Sequence, residues 1–286
     1  MENKVLEIAE NILKKKYKID CRLLGGMSNY TYVIKHCREK LTVRIPGENC
    51  ELFTNREEEK VGLDIFESLN LTNKTVYFDV NSGIKISKYI EGVSLNETNE
   101  RHYEEVAQIL HKIHDNSIKC DIDYNPFMRL DTYESYLNQD KNYINDEYLD
   151  TKNKFLKYKE YLESQKKVFC HNDSQPSNFI YNGKELKIVD FEFIGNNDCL
   201  YDIACYGNID FNDALKLLEV YDDKTNWNDK LKRLNLWRAF QCLQWYLVAS
   251  FKDLSGMSET LKINFKDVAS MFLNLSKKHL SESEKY

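Results

Sequence analysis

Residues 168–180 read V-F-C-H-N-D-S-Q-P-S-N-F-I, an H-x-D-x-x-x-x-N pattern entered and left by apolar, strand-like residues. A second acidic group follows in Ile188-Val189-Asp190-Phe191-Glu192, with Asn182-Gly183 between them as a hairpin turn signal. A hairpin there brings Asp173, Asn178 and Asp190 to one edge. Two carboxylates and an amide oxygen are hard donors, suited to Mg²⁺ carrying a nucleoside triphosphate. In such a site Asp173 stands where a substrate hydroxyl arrives, and Asn178 and Asp190 hold the metal. The competing reading is a chance hairpin with polar turns, and the D-F-E that follows a strand at the right distance weighs against it.

The pattern resembles the catalytic loop and metal aspartate of protein-kinase-like phosphotransferases. The N-terminal part adds independent features. Gly25-Gly26-Met27-Ser28-Asn29 joins two strand-like runs, and small residues there let backbone N–H groups approach phosphates. Arg44 sits in the apolar alternation Leu41-Thr42-Val43-Arg44-Ile45, where a charge needs a reason. In protein kinases a lysine on such a strand meets the nucleotide phosphates, and an arginine fork can do the same. A helix then opens Asn55-Arg56-Glu57-Glu58-Glu59, and Glu59 is the acid expected to pair with Arg44.

Six segments carry a closer resemblance: GGMSNYTYVI at 25–34, LTVRIPG at 41–47, NREEE at 55–59, HNDSQPSN at 171–178, IVDFEFIG at 188–195 and YDIA at 201–204. In this order they resemble the choline/ethanolamine kinase family, nearest its bacterial choline kinase branch, within the wider aminoglycoside phosphotransferase-like group. The resemblance implies ATP and Mg²⁺ as cofactors and transfer of the γ-phosphoryl to a small amino alcohol, with choline first. Ethanolamine, thiamine, a sugar or an aminoglycoside are the alternative acceptors, and a non-catalytic binding module with the kinase fold is the rival of another class. Carried over by position, Asp173 is the base, and Asn178 and Asp190 are the metal ligands. Gly26, Ser28, Asn29, Arg44 and Glu59 fall on the nucleotide side, with Lys88, Tyr89 and Ile90 at the adenine-binding hinge. His171, Gln175 and Asp202 are structural.

A quaternary ammonium has no N–H to donate, so aromatic faces and a nearby carboxylate suit it best. Tyr201, Trp245 and Tyr246, with Glu192 and Asp210, are the residues assigned to the acceptor. Two positions depart from the family's habit. Where the family often has two tryptophans three apart, this chain has Cys242 and Trp245; where it tends to have a glutamate, this chain has Ile209 beside Asp210.

These groups need elements to hold them. Val5, Ile8, Ala9, Ile12 and Leu13 make the stripe of an amphipathic helix. Three antiparallel strands follow, around 21–24, 30–34 and 41–45, then a helix over 54–69 capped by Thr54, and strands at 76–78 and 84–90. Beyond Gly92 the pattern turns helical over 97–114, 131–165, 227–253 and 262–280, broken by short strands at 168–170, 179–181 and 186–189. The fold expected is α+β and bilobal, protein-kinase-like, with a small antiparallel-sheet lobe over 1–91 and a larger, mainly helical lobe over 92–286.

The 286 residues are 42% hydrophobic and 13% aromatic, with 10 glycines and 3 prolines, which excludes collagen-like and largely disordered classes. The net charge of −6 and the lack of a basic stripe exclude a nucleic-acid coat. The first twenty residues alternate charge with aliphatic side chains, and no apolar stretch reaches membrane-spanning length, so a cytoplasmic protein is expected. The 8 cysteines are scattered without a CxxC pair and read as reduced thiols.

Overall fold

The computed structural model describes residues 1–23, 29–115 and 117–286. The glycine-rich candidates Gly26 and Ser28 lie outside the described residues. The chain folds as two compact units, residues 1–112 with 173–194 and residues 113–172 with 195–286.

In chain order the first unit holds α1 (Glu2–Leu13), β1 (Lys18–Leu23), β2 (Asn29–His36), β3 (Glu39–Pro46), α2 (Arg56–Ser68), β4 (Thr75–Phe78), β5 (Lys85–Lys88) and β6 (Val93–Ser94). α3 (Tyr103–Ile113) runs up to its boundary. The second unit then supplies α4 (Pro126–Ser135), α5 (Asp146–Leu156), α6 (Lys159–Glu163) and β7 (Lys167–Cys170). The chain returns to the first unit for β8 (Phe179–Tyr181) and β9 (Leu186–Ile188). It ends in the second with β10 (Gly195–Asp198), α7 (Leu200–Tyr206), α8 (Phe211–Tyr221), α9 (Trp227–Leu254), α10 (Met257–Leu261) and α11 (Phe265–Ser283).

The first unit is built on a five-stranded antiparallel sheet of order β1-β2-β3-β5-β4. Alternation along the strands sends Tyr32, Ile34, Leu41, Val43, Ile45 and Ile86 to one face, where Val5 and Ala9 of α1 complete a buried cluster. Burying one such aliphatic side chain stabilises by about 1.5–3 kcal/mol, so this cluster is what fixes α1 to the sheet. The same alternation puts Arg44 on the opposite face. Register aligns Arg44 directly with Lys85 across β3 and β5, so both side chains emerge on that face. β8 and β9 form the expected hairpin, and β6 adds a third strand beside β8.

In the second unit α11 lies along the long α9, tied to it by Ser276 Oγ donating to the Ala239 carbonyl at 3.0 Å. Tyr201, Trp237 and Phe240 pack edge-to-face and tilted in the core, and Trp237 Nε1 donates to Asp198 at 2.8 Å, which satisfies the buried indole. β10 pairs antiparallel with β7. Its sequence, Gly195-Asn196-Asn197-Asp198, has no strand-like alternation, and only pairing with β7 makes it a strand.

Three local expectations are corrected. Asn55, not Thr54, caps α2: its Oδ1 accepts from the Glu57 and Glu58 amides at 3.0 and 3.4 Å, while the Thr54 hydroxyl turns back to the Cys50 carbonyl. The helix expected over 97–114 starts only at Tyr103, after an irregular stretch. The helical region 131–165 is three separate helices, α4 to α6. All eight cysteines are free, four of them buried. Among the described residues no helix is long and apolar enough to cross a membrane.

Candidate active site

The segment 173–190 is held by its own polar groups. The Asn178 side-chain amide donates to the Asp173 backbone carbonyl at 2.7 Å and to Asp173 Oδ2 at 2.9 Å, and Gln175 Nε2 donates to the same Oδ2 at 3.1 Å. The Val189 amide donates to the Asn178 carbonyl at 2.9 Å, and the Ile188 amide to the Leu71 carbonyl at 2.9 Å. Phe191 stacks on Phe66 of α2 with ring centroids 4.3 Å apart. These contacts bring Asp173, Asn178 and Asp190 together as the sequence pattern implied.

Asp190 adopts a left-handed backbone, φ 71°, uncommon for a residue with a side chain and a frequent mark of a functional position. Its Oδ1 is buried and accepts no hydrogen bond among the described residues. Burial first, and then the charge of Glu192, pushes the Asp190 carboxyl up to about 7 despite nearby Arg44 and Lys85. Burial and the charge of Asp190 likewise raise the Asp173 carboxyl well above its ordinary range, against the hydrogen bonds from Asn178 and Gln175. Two crowded carboxylates, one with an orphaned oxygen, are a donor set that fits a hard divalent cation. With its amide nitrogen spent on Asp173, Asn178 has its oxygen left for the same ion.

Beside them lies an ionic cluster. Arg44 meets Glu59 with both terminal nitrogens, at 2.6 Å to Oε1 and 2.8 Å to Oε2. It also reaches Glu192 Oε1 at 3.2 Å and the Gly83 carbonyl at 3.3 Å. The expected Arg44–Glu59 pair is thus formed, with Glu59 fully buried. Burial alone would raise the Glu59 carboxyl, but the charges of Arg44 and Lys85 outweigh it and hold it down at about 2. Arg56 bridges Glu59 and Glu192 at 2.7 and 2.6 Å, and Asn29 Nδ2 donates to Glu192 at 2.9 Å. Glu192, read from sequence as an acceptor-side acid, is therefore engaged by Asn29 and both arginines. Arg56, Gly83 and Lys85 are members that sequence reasoning missed. Arg56 stood in the NREEE motif as an available signal; the other two are placed by strand register and a turn.

The remaining candidates have partners of their own. Lys88 pairs with Glu39 at 2.7 Å, the Tyr89 amide donates to the Lys40 carbonyl, and Ile90 follows the strand half-buried. In the second unit Asp202 accepts the backbone amides of His171 and Asn172 at 2.9 and 2.7 Å and pairs with His114 Nε2 at 2.9 Å, fixing the backbone just before Asp173. Tyr201 is buried and bonded to the Tyr124 hydroxyl. Tyr246 stacks on Tyr148, and its hydroxyl donates to the Tyr143 carbonyl. Asp210 caps α8 by accepting from the Asn212 amide. Trp245 stacks on Phe272 of α11 and is the only residue between Gln241 and Ser250 that is not buried. Tyr201, Asp210, Trp245 and Tyr246 thus have different partners within the second unit.

Known proteins resemble this chain over most of its length. Protein LicA of Haemophilus influenzae is 28% identical over 278 residues, covering 90% of this chain and 99% of the relative. The crystal structure of choline kinase LicA from Streptococcus pneumoniae superposes with a TM-score of 0.81 at 24% identity, covering 98% of this chain and 99% of that one. A structure of LicA in complex with AMP matches equally well, at 0.81 and 24% over 99% of both chains. These likenesses establish a bilobal, protein-kinase-like α+β fold. The choline/ethanolamine kinase family model matches residues 21–227, well over half of the chain. The chain belongs to the choline/ethanolamine kinase family and is a phosphotransferase of the kinase class.

Proposed function

We propose that this protein transfers the γ-phosphoryl of ATP, as its Mg²⁺ complex, to the hydroxyl of choline. The observation that carries this reading is the convergence of Asp173, Asn178 and Asp190, with the Asn178 amide anchored on Asp173 and Asp190 Oδ1 lacking a partner. Asp173 orients the acceptor hydroxyl and takes its proton; a carboxylate whose proton affinity is raised by burial is a competent base. Asn178 and Asp190 hold the metal, which when bound offsets charge on the phosphates during transfer. Arg44, Glu59 and Arg56 brace the strand, the helix and the 190–192 segment, so that Asp190 is already in place when the nucleotide arrives. Catalysis of this kind is mostly positional and electrostatic. Lys88 to Ile90 supply the adenine hinge. The likeness to the choline kinase LicA and to LicA in complex with AMP supports the acceptor and the adenine nucleotide. Trp245, the aromatic with solvent contact on its stretch of α9, is the proposed face for the quaternary ammonium.

The test is ADP release with MgATP and a panel of choline, ethanolamine, thiamine, several sugars and an aminoglycoside. Turnover with choline above the others is expected. Turnover with another acceptor keeps the kinase and discards choline. ATP binding without turnover on any acceptor favours a binding module. Asp173→Asn should lower kcat by at least about 10²-fold, the lower range for loss of a general base, with nucleotide affinity kept; full activity in this variant removes Asp173 from its role.

A further inference from the structure

Asn29 is the first residue of β2. On one side it stands opposite Pro46, the last residue of β3, and on the other the pairing with β1 ends at Thr31 among the described residues. It is thus at the margin of the ladder, where backbone pairing does least to fix a residue. Its side chain supplies a tie instead. Thr31, two residues on, stands opposite Arg44, so alternation puts Asn29 on the Arg44 face of the sheet. There Asn29 Nδ2 donates to Glu192 Oε1 at 2.9 Å, the oxygen that also accepts from Arg44 at 3.2 Å and from Arg56 at 2.6 Å.

Two arginines already hold Glu192, so the amide adds little to the place of that carboxylate. What the bond fixes is Asn29. The amide also carries a cost, because its Oδ1 is buried and accepts no hydrogen bond among the described residues. A side chain that served only to pack would not carry it. The other end of the bond lies close to the metal side of the site. Glu192 comes two residues after Asp190 in the sequence, and its charge bears on the Asp190 carboxylate. Asn29 therefore joins the start of β2 to the 190–192 segment.

We propose that Asn29 is a positioning residue that couples divalent-cation binding at Asp190 to nucleotide binding, by holding the start of β2 on Glu192. This rests on the nucleotide- and metal-dependent reading of the site given above. A cation at Asp190 offsets the repulsion between Asp190 and Glu192, and the Asn29 amide shares the resulting order with β2. A nucleotide then meets a strand end that is already in place and has less ordering to offset. By linkage the nucleotide strengthens cation binding by the same factor.

The experiment measures binding of ADP and AMP by calorimetry, with Mg²⁺ and with EDTA, to the wild type, Asn29→Ala and Asn29→Asp, with thermal midpoints alongside. Chelation of Mg²⁺ by ADP in solution is the same for every variant and cancels. Aspartate keeps the size of the side chain, removes the donor and turns a like charge on Glu192. The wild type is expected to bind ADP more tightly with Mg²⁺. In Asn29→Ala that strengthening should fall by about fivefold or more, the lower end of a typical coupling between sites. ADP affinity in EDTA, AMP affinity and the thermal midpoint should stay near wild type, and Asn29→Asp should lose the strengthening at least as fully. An unchanged strengthening in Asn29→Ala overturns the proposal. So does ADP binding weakened equally with and without Mg²⁺, which would make Asn29 a plain nucleotide contact. A parallel fall of AMP affinity, ADP affinity and midpoint overturns it as well, in favour of a structural role. A wild type that binds ADP with no effect of Mg²⁺ overturns the coupling alone, whereas one that binds neither nucleotide overturns the nucleotide reading and the coupling with it.

Discussion

At the scale of single residues, the cost of the site is concentrated on Asp190. Its carboxyl is crowded, its Oδ1 has no partner, and it titrates at about 7 where an ordinary aspartate titrates near 3.8. Because the folded value is raised, the folded state holds its proton over a pH range where the unfolded chain has released it. Stability therefore falls as pH rises from about 4 to about 7 and stays lower above that. Asn carries no such cost. In metal-free protein, Asp190→Asn should melt on the order of 5 °C above the wild type at pH 8, with the gap closing toward pH 4. Added Mg²⁺ should raise the midpoint of the wild type and leave the variant unmoved. A gap of constant size across the pH series would show that the carboxylate charge is not its source.

At the scale of elements, the turn between β4 and β5 is shaped around the ionic cluster. Gly83 has φ +67°, its carbonyl accepts from Arg44, and a Cβ there would stand 2.7 Å from Arg56 Nε and 2.8 Å from the Pro46 side chain. Gly83→Ala combines an unfavourable backbone with a clash against a guanidinium that bridges two buried glutamates. It should cost about 1–3 kcal/mol and weaken nucleotide binding, readable as a shifted urea midpoint and a raised KM for ATP. An unchanged KM would separate the turn from the site. α2 shows how far local sequence reaches on this scale. Its amphipathic run was legible, but whether Thr54 or Asn55 caps it depended on which side chain could reach the Glu57 and Glu58 amides, and Cys50 claims the threonine.

At the scale of the whole molecule, Glu59 joins parts of the first unit that are remote in sequence: β3 through Arg44, β5 through Lys85 and, by way of Arg44 and Arg56, Glu192 after the hairpin. Its carboxyl is held at about 2, below the ordinary glutamate value of 4.5, so its contribution is fully present above about pH 4.5 and is lost as pH falls toward 2. Glu59→Gln strands two buried arginines and should lower stability at pH 7 by about 3 kcal/mol, the scale of a broken buried ion pair. It should also flatten the acid limb of the stability curve between pH 4.5 and 2. A wild-type acid limb retained in the variant would assign that limb to other carboxylates.

The sequence by itself determined the parts that depend on local spacing. H-x-D-x-x-x-x-N with D-F-E, the strand alternations that form the sheet and the stripe of α1 follow from local spacing and periodicity, while Glu59 as the partner of Arg44 was expected from the resemblance to kinases. Only the tertiary structure decided what depends on register and return of the chain. Lys85 faces Arg44 because β5 pairs beside β3. Residues 173–194 pack with the first unit although 60 residues of the second come between, from 113 to 172. Glu192 turns to the arginines, and β10 becomes a strand only by pairing with β7. A short segment carries its own periodicity, but its partner is chosen by packing across the fold, and a buried charge takes whichever counter-charge that packing delivers.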